Sequence, residues 1–286
     1  MNLDVGVLTI VYSLAAALSW GVGDFGGGLA SRRNHVYTVI LAGQAVGVLL
    51  LIPFIFVRSE QIPSGAALLW GGIAGLFSAF GLITMYRSLG RLRMGVVTPI
   101  IAAEMTAIPV LFAALFEGLP SLIQIAGFAL ALVAVAIISR SSSADGGGSV
   151  SLAQLREPLI SGALFGGFLI SLDRASSDTA VFIPLLTSRA VSISILFVLA
   201  QRAGVPRFPT RERLPLIALT GVMDVAGNIF YMLATQVGRL DIAAVISSLY
   251  PAVTVLLARV VLKERLSRMQ GFGVLATLIA IVLITL

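Results

Sequence analysis

The sequence contains no cysteine and a single histidine, His35. Disulfides and thiolate metal sites are therefore excluded. Charged residues are scarce: 11% of 286 residues, against 58% hydrophobic, with a mean hydropathy of +1.04. No soluble domain could solvate that surface, which excludes a globular enzyme or binding module in water. Also lacking are an HExxH, a GxSxG and a P-loop; no catalytic residues, no metal and no cofactor are expected. The glycine-rich runs lie inside the first apolar stretch or in a central linker, not after a strand, which argues against a phosphate cradle and against ATP-driven transport. The net charge of +6 does not call for nucleic acid, because the arginines sit in short loops between apolar runs.

What the chain does have is long apolar runs. A hydrocarbon core of about 30 Å needs roughly 20 apolar residues per helix. Ten runs meet that need: 7–27, 37–57, 66–88, 94–115, 120–139, 158–173, 179–200, 213–236, 241–261 and 267–286. The first lacks a basic flank and exceeds a signal peptide's apolar core, so it reads as a retained helix. The longest interruption, within 140–156, contains Ser141-Ser142-Ser143-Ala144-Asp145-Gly146-Gly147-Gly148-Ser149 and reads as a flexible linker.

The two sides of that linker match. Gly90-Arg91-Leu92 and Gly238-Arg239-Leu240 precede apolar runs, which Glu117 and Glu264 close. Gln124-x-x-Gly127 and Gln270-x-x-Gly273 then open the next runs. The matched positions lie 148, 147 and 146 residues apart. So steady an offset marks an internal duplication. The division is 1–139 for the first five-helix repeat, 140–156 for the linker and 157–286 for the second repeat. A five-helix unit must insert its second copy upside down. The expected fold is an all-α integral membrane protein of ten transmembrane helices, a 5+5 inverted-topology repeat around a central cavity. Such a pair can pack in two alternative ways around one site, which is the mechanical basis of alternating access. Fourteen lysines and arginines fall in the odd-numbered loops and three in the even ones. This places the odd loops in the cytoplasm and both termini on the other side of a bacterial inner membrane.

Tyr231–Leu266, with Leu249-Tyr250-Pro251 and Leu262-Lys263-Glu264, resembles the EamA module of the drug/metabolite transporter superfamily. Tyr86-Arg87-Ser88-Leu89 and Glu117 resemble the same module in the first half. The resemblance covers essentially the whole chain. Within the family it looks most like bacterial amino-acid exporters of the YddG type. It implies a 5+5 inverted repeat, a central cavity and export of amino acids or related metabolites. One departure is Glu104, which stands where the second half has Pro251; the first-half helix carries Pro99 and Pro109 instead.

Glu104 lies ten residues from either end of its run, near the bilayer midplane, where a carboxylate is costly unless protonated, paired or watered. Two roles fit: a group that binds a substrate ammonium or coupling proton, or a structural partner of Arg189, the arginine at mid-depth. Arg189 itself reads as structural, with a clamp on a substrate carboxylate as the alternative. Asp224, Asn228 and Tyr231 recur at i, i+4, i+7 and share one face. A polar stripe on a membrane helix must face protein or water, so it is read as a cavity wall. Trp20 and Asp24 share a face of helix 1; Trp20 suits the cavity, and Asp24 a gate or a pair with Arg32 or Arg33. Ser247 and Tyr250 precede Pro251, whose ring frees a backbone carbonyl one turn back. Helix 6 is the shortest run, and glycines there and in helix 1 mark either a binding site or close packing. His35 reads as interfacial.

The expected substrate-binding set is Trp20, Ser78, Glu104, Phe165, Asp224, Asn228, Tyr231, Ser247 and Tyr250, with Asp24, Arg189 and Pro251 structural or gating. The walls should come from helices 1, 3, 4, 6, 8 and 9, leaving helices 5 and 10 peripheral. Aromatic, hydroxyl and amide groups around few charges suit large neutral or aromatic amino acids. The alternatives are a multidrug or quaternary-ammonium exporter, nucleotide-sugar transport, a channel, and a membrane-embedded lipid-modifying enzyme. The expected partners are a small-molecule substrate and the lipid bilayer; no nucleic acid and no protein partner is evident.

Overall fold

The computed structural model describes residues 5–117, 121–141, 152–175, 182–206, 209–237, 246–264 and 268–285. Arg239 with its neighbours, most of the linker and Arg265 lie outside the described residues. Within them the chain forms ten α-helices: α1 Val5–Ser31, α2 Val36–Arg58, α3 Gly65–Arg91, α4 Met94–Glu117, α5 Leu122–Ser141, α6 Leu152–Ala175, α7 Phe182–Arg202, α8 Leu214–Val237, α9 Tyr250–Val261 and α10 Arg268–Thr285. One 3-10 turn, Arg211–Arg213, precedes α8, and no strand occurs among the described residues. An all-helical chain is the expected result for so apolar a sequence, because a helix satisfies its backbone hydrogen bonds internally. By length and composition α1, α2, α3, α6, α7 and α8 can each cross a membrane; the described apolar stretches of α4, α5, α9 and α10 are shorter. Outward-facing side chains are apolar: Phe56 is 77% exposed and Val57 81%, a surface that only lipid covers without cost.

Two elements differ from the sequence expectation. Helix 6 is not short. It starts at Leu152, in what reads as linker, and runs 24 residues through Pro158. Pro158, the seventh residue of that helix, removes one backbone hydrogen bond in its second turn. Helix 9 is interrupted: Ile246 and Ser247 are helical, Ser248 and Leu249 form a turn, and α9 starts at Tyr250 with Pro251 in its first turn and Leu249 as N-cap. The part of the predicted run at 241–245 lies outside the described residues. In contrast, α4 continues as one helix through both Pro99 and Pro109.

The loops are held by specific caps. Glu60, after α2, accepts hydrogen bonds from the backbone N–H groups of Phe182 and Ile183 at 2.8 to 3.0 Å. A carboxylate there satisfies otherwise unpaired donors and complements the positive end of α7. His35 caps α2, its Nδ1 accepting from Tyr37 N–H at 3.3 Å. Partial burial, and secondarily the Arg87 charge, hold its pKa below the usual imidazole range, so the ring stays neutral and able to accept.

Helix neighbours exchange between the halves. As α1 packs on α8, so α6 packs on α3; as α3 packs on α7, so α8 packs on α2; as α4 packs on α6, so α9 packs on α1. Residues repeat the pattern. An added Cβ at Gly75 of α3 would lie 2.8 Å from Val191 Cβ of α7; at Gly221 of α8 it would lie 2.9 Å from the Gly43 carbonyl carbon of α2. Gly75 and Gly221 are one repeat offset apart. Between α2 and α7, Gln44 Nε2 donates to Ser192 Oγ at 2.9 Å, a buried contact between residues 148 positions apart. Each is the other's counterpart, so the contact relates the halves about a local axis. Meanwhile α5 and α10 pack on one another at the periphery.

Candidate functional site

A central cavity opens among these helices, with about 720 Å³ of space not filled by protein atoms, part of it open to solvent. One wall is aromatic: Trp20 from α1, Phe165 and Phe168 from α6, and Tyr250 at the start of α9. Trp20 lies 5.5 Å from the Tyr231 ring and 6.3 Å edge-on from Tyr250, so the indole is one member of a ring cluster. The other wall is polar: Asp24, Ser78, Ser188, Arg189, Asp224 and Asn228.

The charges here decide the chemistry. The Arg189 guanidinium of α7 is buried and donates to Asp224 Oδ2 of α8. That pair neutralises itself. Asp24 also reaches the cavity and lies within electrostatic range of Asp224, Tyr86 and Tyr250, and no cation pairs with it among the described residues. Among the described residues the cavity thus presents one carboxyl group without a cationic partner beside aromatic rings.

One end is sealed. Residues 94–103 of α4 are all buried, packed with Ala30, Tyr86 and Leu89, whereas 104, 105, 107, 108 and 109 are only half-buried. The sealed end bears the arginine-rich loops. There Arg32 pairs with Glu264 at 3.1 Å, and the other Glu264 oxygen accepts from Gly95 N–H at 3.5 Å. Arg87 donates to Tyr37 Oη at 3.0 Å, and Arg91 approaches Glu157 at 3.7 Å. The last pair is exposed and contributes about 0–1 kcal/mol; the Arg32–Glu264–Gly95 contact, which joins α1, α4 and the end of α9, is the better clasp.

One family model matches the sequence twice in tandem, at residues 7–140 and 158–286: the EamA-like transporter family, of the drug/metabolite transporter superfamily. The chain belongs to this family. As an EamA-family protein it is a multi-pass membrane protein with two repeats, and the gap between the two matches falls on the linker. A search of curated proteins finds no match. A crystal structure of another protein superposes with a TM-score of 0.64, covering 96% of this chain and 95% of that one, at 14% identity. That likeness speaks to the fold alone.

The structure brings together Trp20, Ser78, Phe165, Asp224, Asn228 and Tyr250 of the sequence-derived binding set, and with them Asp24 and Arg189. It places three others elsewhere. Glu104 rests its side-chain stem on Gly162 of α6, where an added Cβ would lie 3.2 Å from Glu104 Cγ, while its neighbour Met105 faces the cavity. Tyr231 stands behind Trp20. Ser247 is buried and donates to Ser13 O of α1 at 3.4 Å. Arg189 pairs with Asp224, not Glu104, and Arg32 pairs with Glu264, not Asp24. Pro251 is buried in the first turn of α9, where it sets that helix's start. Among the described residues no side chain of α5 or α10 lines the cavity, but α7 contributes Leu185, Ser188 and Arg189. Ser188 and Ser192 are spaced i, i+4, the signal that singled out α8, and applied to α7 it marks an inward face.

Proposed function

We propose that this EamA-family protein is a secondary transporter that exports amino acids, large neutral and aromatic ones foremost, by alternating access. The observation that carries the reading is Asp24: an uncompensated carboxylate in a cavity walled by Trp20, Phe165, Phe168 and Tyr250. A substrate ammonium replaces the missing cation, and an apolar side chain lies on the rings. Asn228, Ser78 and Ser188 supply amide and hydroxyl groups for the carboxylate, while Arg189 stays occupied by Asp224.

Ten spans in a 5+5 inverted repeat suit this mechanism. The exchange of helix neighbours between halves and the contact of Gln44 with its own counterpart Ser192 support that arrangement. The fourteen-to-three bias of basic residues supports a cytoplasmic sealed end, both termini outside and residence in the inner membrane. In that orientation the Arg32–Glu264 clasp closes the cytoplasmic exit, and the return to the inward state requires its rupture.

The test is uptake of a radiolabelled amino-acid panel into proteoliposomes, with and without a proton gradient, beside a reporter fused after Leu286 to read the side. Large neutral and aromatic amino acids should be taken up. If nucleotide sugars or quaternary ammonium compounds block uptake of a tracer while a full amino-acid set does not, the substrate reading is wrong. The acidic, aromatic cavity favours the quaternary ammonium class as the second reading.

A further inference from the structure

Two aromatic walls of the cavity stand on glycines, at corresponding places in the two halves. Trp20 of α1 lies against Gly227 of α8, and Phe165 of α6 lies against Gly81 of α3. The glycines are 146 residues apart and the rings 145, so each pair is the repeat image of the other. The seats differ in tightness. A Cβ built on Gly227 would fall 2.5 Å from Trp20 Nε1 and 2.9 Å from Cγ, closer than real Cβ contacts allow. A Cβ on Gly81 would meet Phe165 Cε1 and Cζ at 3.3 Å, which a shift of a few tenths of an ångström relieves.

At the Gly227 seat the two helices are already closely packed. On the next turns α1 and α8 are in contact through glycine: a Cβ on Gly26 would lie 2.6 Å from Thr220 Oγ1, and one on Gly23 lies 3.5 Å from Asp224 N. Tyr231 and Tyr250 flank the indole. The open direction is the cavity, which Trp20 lines.

We propose that Gly227 is a specificity-determining positioning residue: by letting the Trp20 indole lie back against α8 it sets the width of the cavity, and Gly81 does the same for Phe165. This rests on the reading of the cavity as the substrate site. Gly227→Ala drives the indole inward and overfills the space a large side chain uses. Overpacking of that kind weakens binding about ten- to a hundredfold. A substrate with a small side chain does not reach the displaced ring and loses little.

The experiment measures KM and kcat for a large and a small neutral amino acid in proteoliposomes. Gly227→Ala should raise the KM ratio of large to small about tenfold or more, with kcat for the small one kept. Gly81→Ala should change it much less, and Gly81→Val more. A parallel reading needs no substrate. In a Trp70→Phe background Trp20 is the remaining tryptophan, and Gly227→Ala should expose it to iodide quenching. Folded Gly227→Ala protein with unchanged quenching and an unchanged ratio overturns the proposal. If Gly227→Ala does not fold, Gly81→Val decides: an unchanged ratio overturns it, a raised one supports it. If the wild type takes up no amino acid, the function reading fails, while the quenching result still decides the seat.

Discussion

Asp24→Asn should lower uptake of ammonium-bearing substrates about ten- to a hundredfold while the protein still folds and inserts. The loss follows from removing a charge-assisted contact, and a hydrogen bond to a charged group contributes about 1.5–3 kcal/mol. The fold should not suffer, because no cation depends on Asp24 among the described residues. A neutral amide in the membrane costs less than a carboxylate, so the melting temperature in detergent should hold or rise. Wild-type uptake with Asp24→Asn would remove Asp24 from the binding site. Glu104 is its internal control. Its stem packs on Gly162, so Glu104→Gln should change uptake less than Asp24→Asn does.

The opposite pattern is expected for Asp224→Asn, which should destabilise the protein by about 3 kcal/mol, read as a fall in melting temperature. Breaking a buried pair from one side strands the other charge, at a cost of about 3–5 kcal/mol. The lower end applies because 34% of the Asp224 side chain is exposed, facing cavity water, while Arg189 is 9% exposed. Adding Arg189→Leu to Asp224→Asn should recover much of the loss, since removing the stranded guanidinium leaves no unpaired buried charge. A double variant as unstable as the single one would contradict the assignment of this pair as the bridge between α7 and α8.

Much of the architecture is legible in the sequence because lipid imposes long apolar runs, and because duplication leaves a nearly constant offset. The stripe of Asp224 and Asn228 is legible for a related reason: i, i+4 spacing fixes a shared face whatever the partner. What spacing does not fix is the rotation of one helix against another. Glu104 and Met105 are adjacent at mid-depth, and packing against Gly162 turns Glu104 onto α6 and Met105 into the cavity. The same ambiguity left the partner of Arg189 open, and the structure gives it Asp224. Residues 152–156 read as linker because Gln154 and Arg156 are poor membrane residues, yet a helix end at the interface tolerates them. The clasp of Arg32 with Glu264 spans 232 residues and has no local signature.

On the proposed reading, Trp20 and Phe165 set the width of the cavity, Arg189 and Asp224 hold its frame, and Asp24 supplies its charge. Calorimetric titration of the purified protein with a large neutral amino acid, its N-acetyl derivative and a quaternary ammonium compound addresses that assignment most directly. The free amino acid should bind; the N-acetyl derivative, which has no ammonium to offer Asp24, should bind at least about tenfold more weakly; and the quaternary ammonium compound should not displace the amino acid. Equal binding of the N-acetyl derivative, or binding of the quaternary ammonium compound in the amino acid's place, would contradict the account.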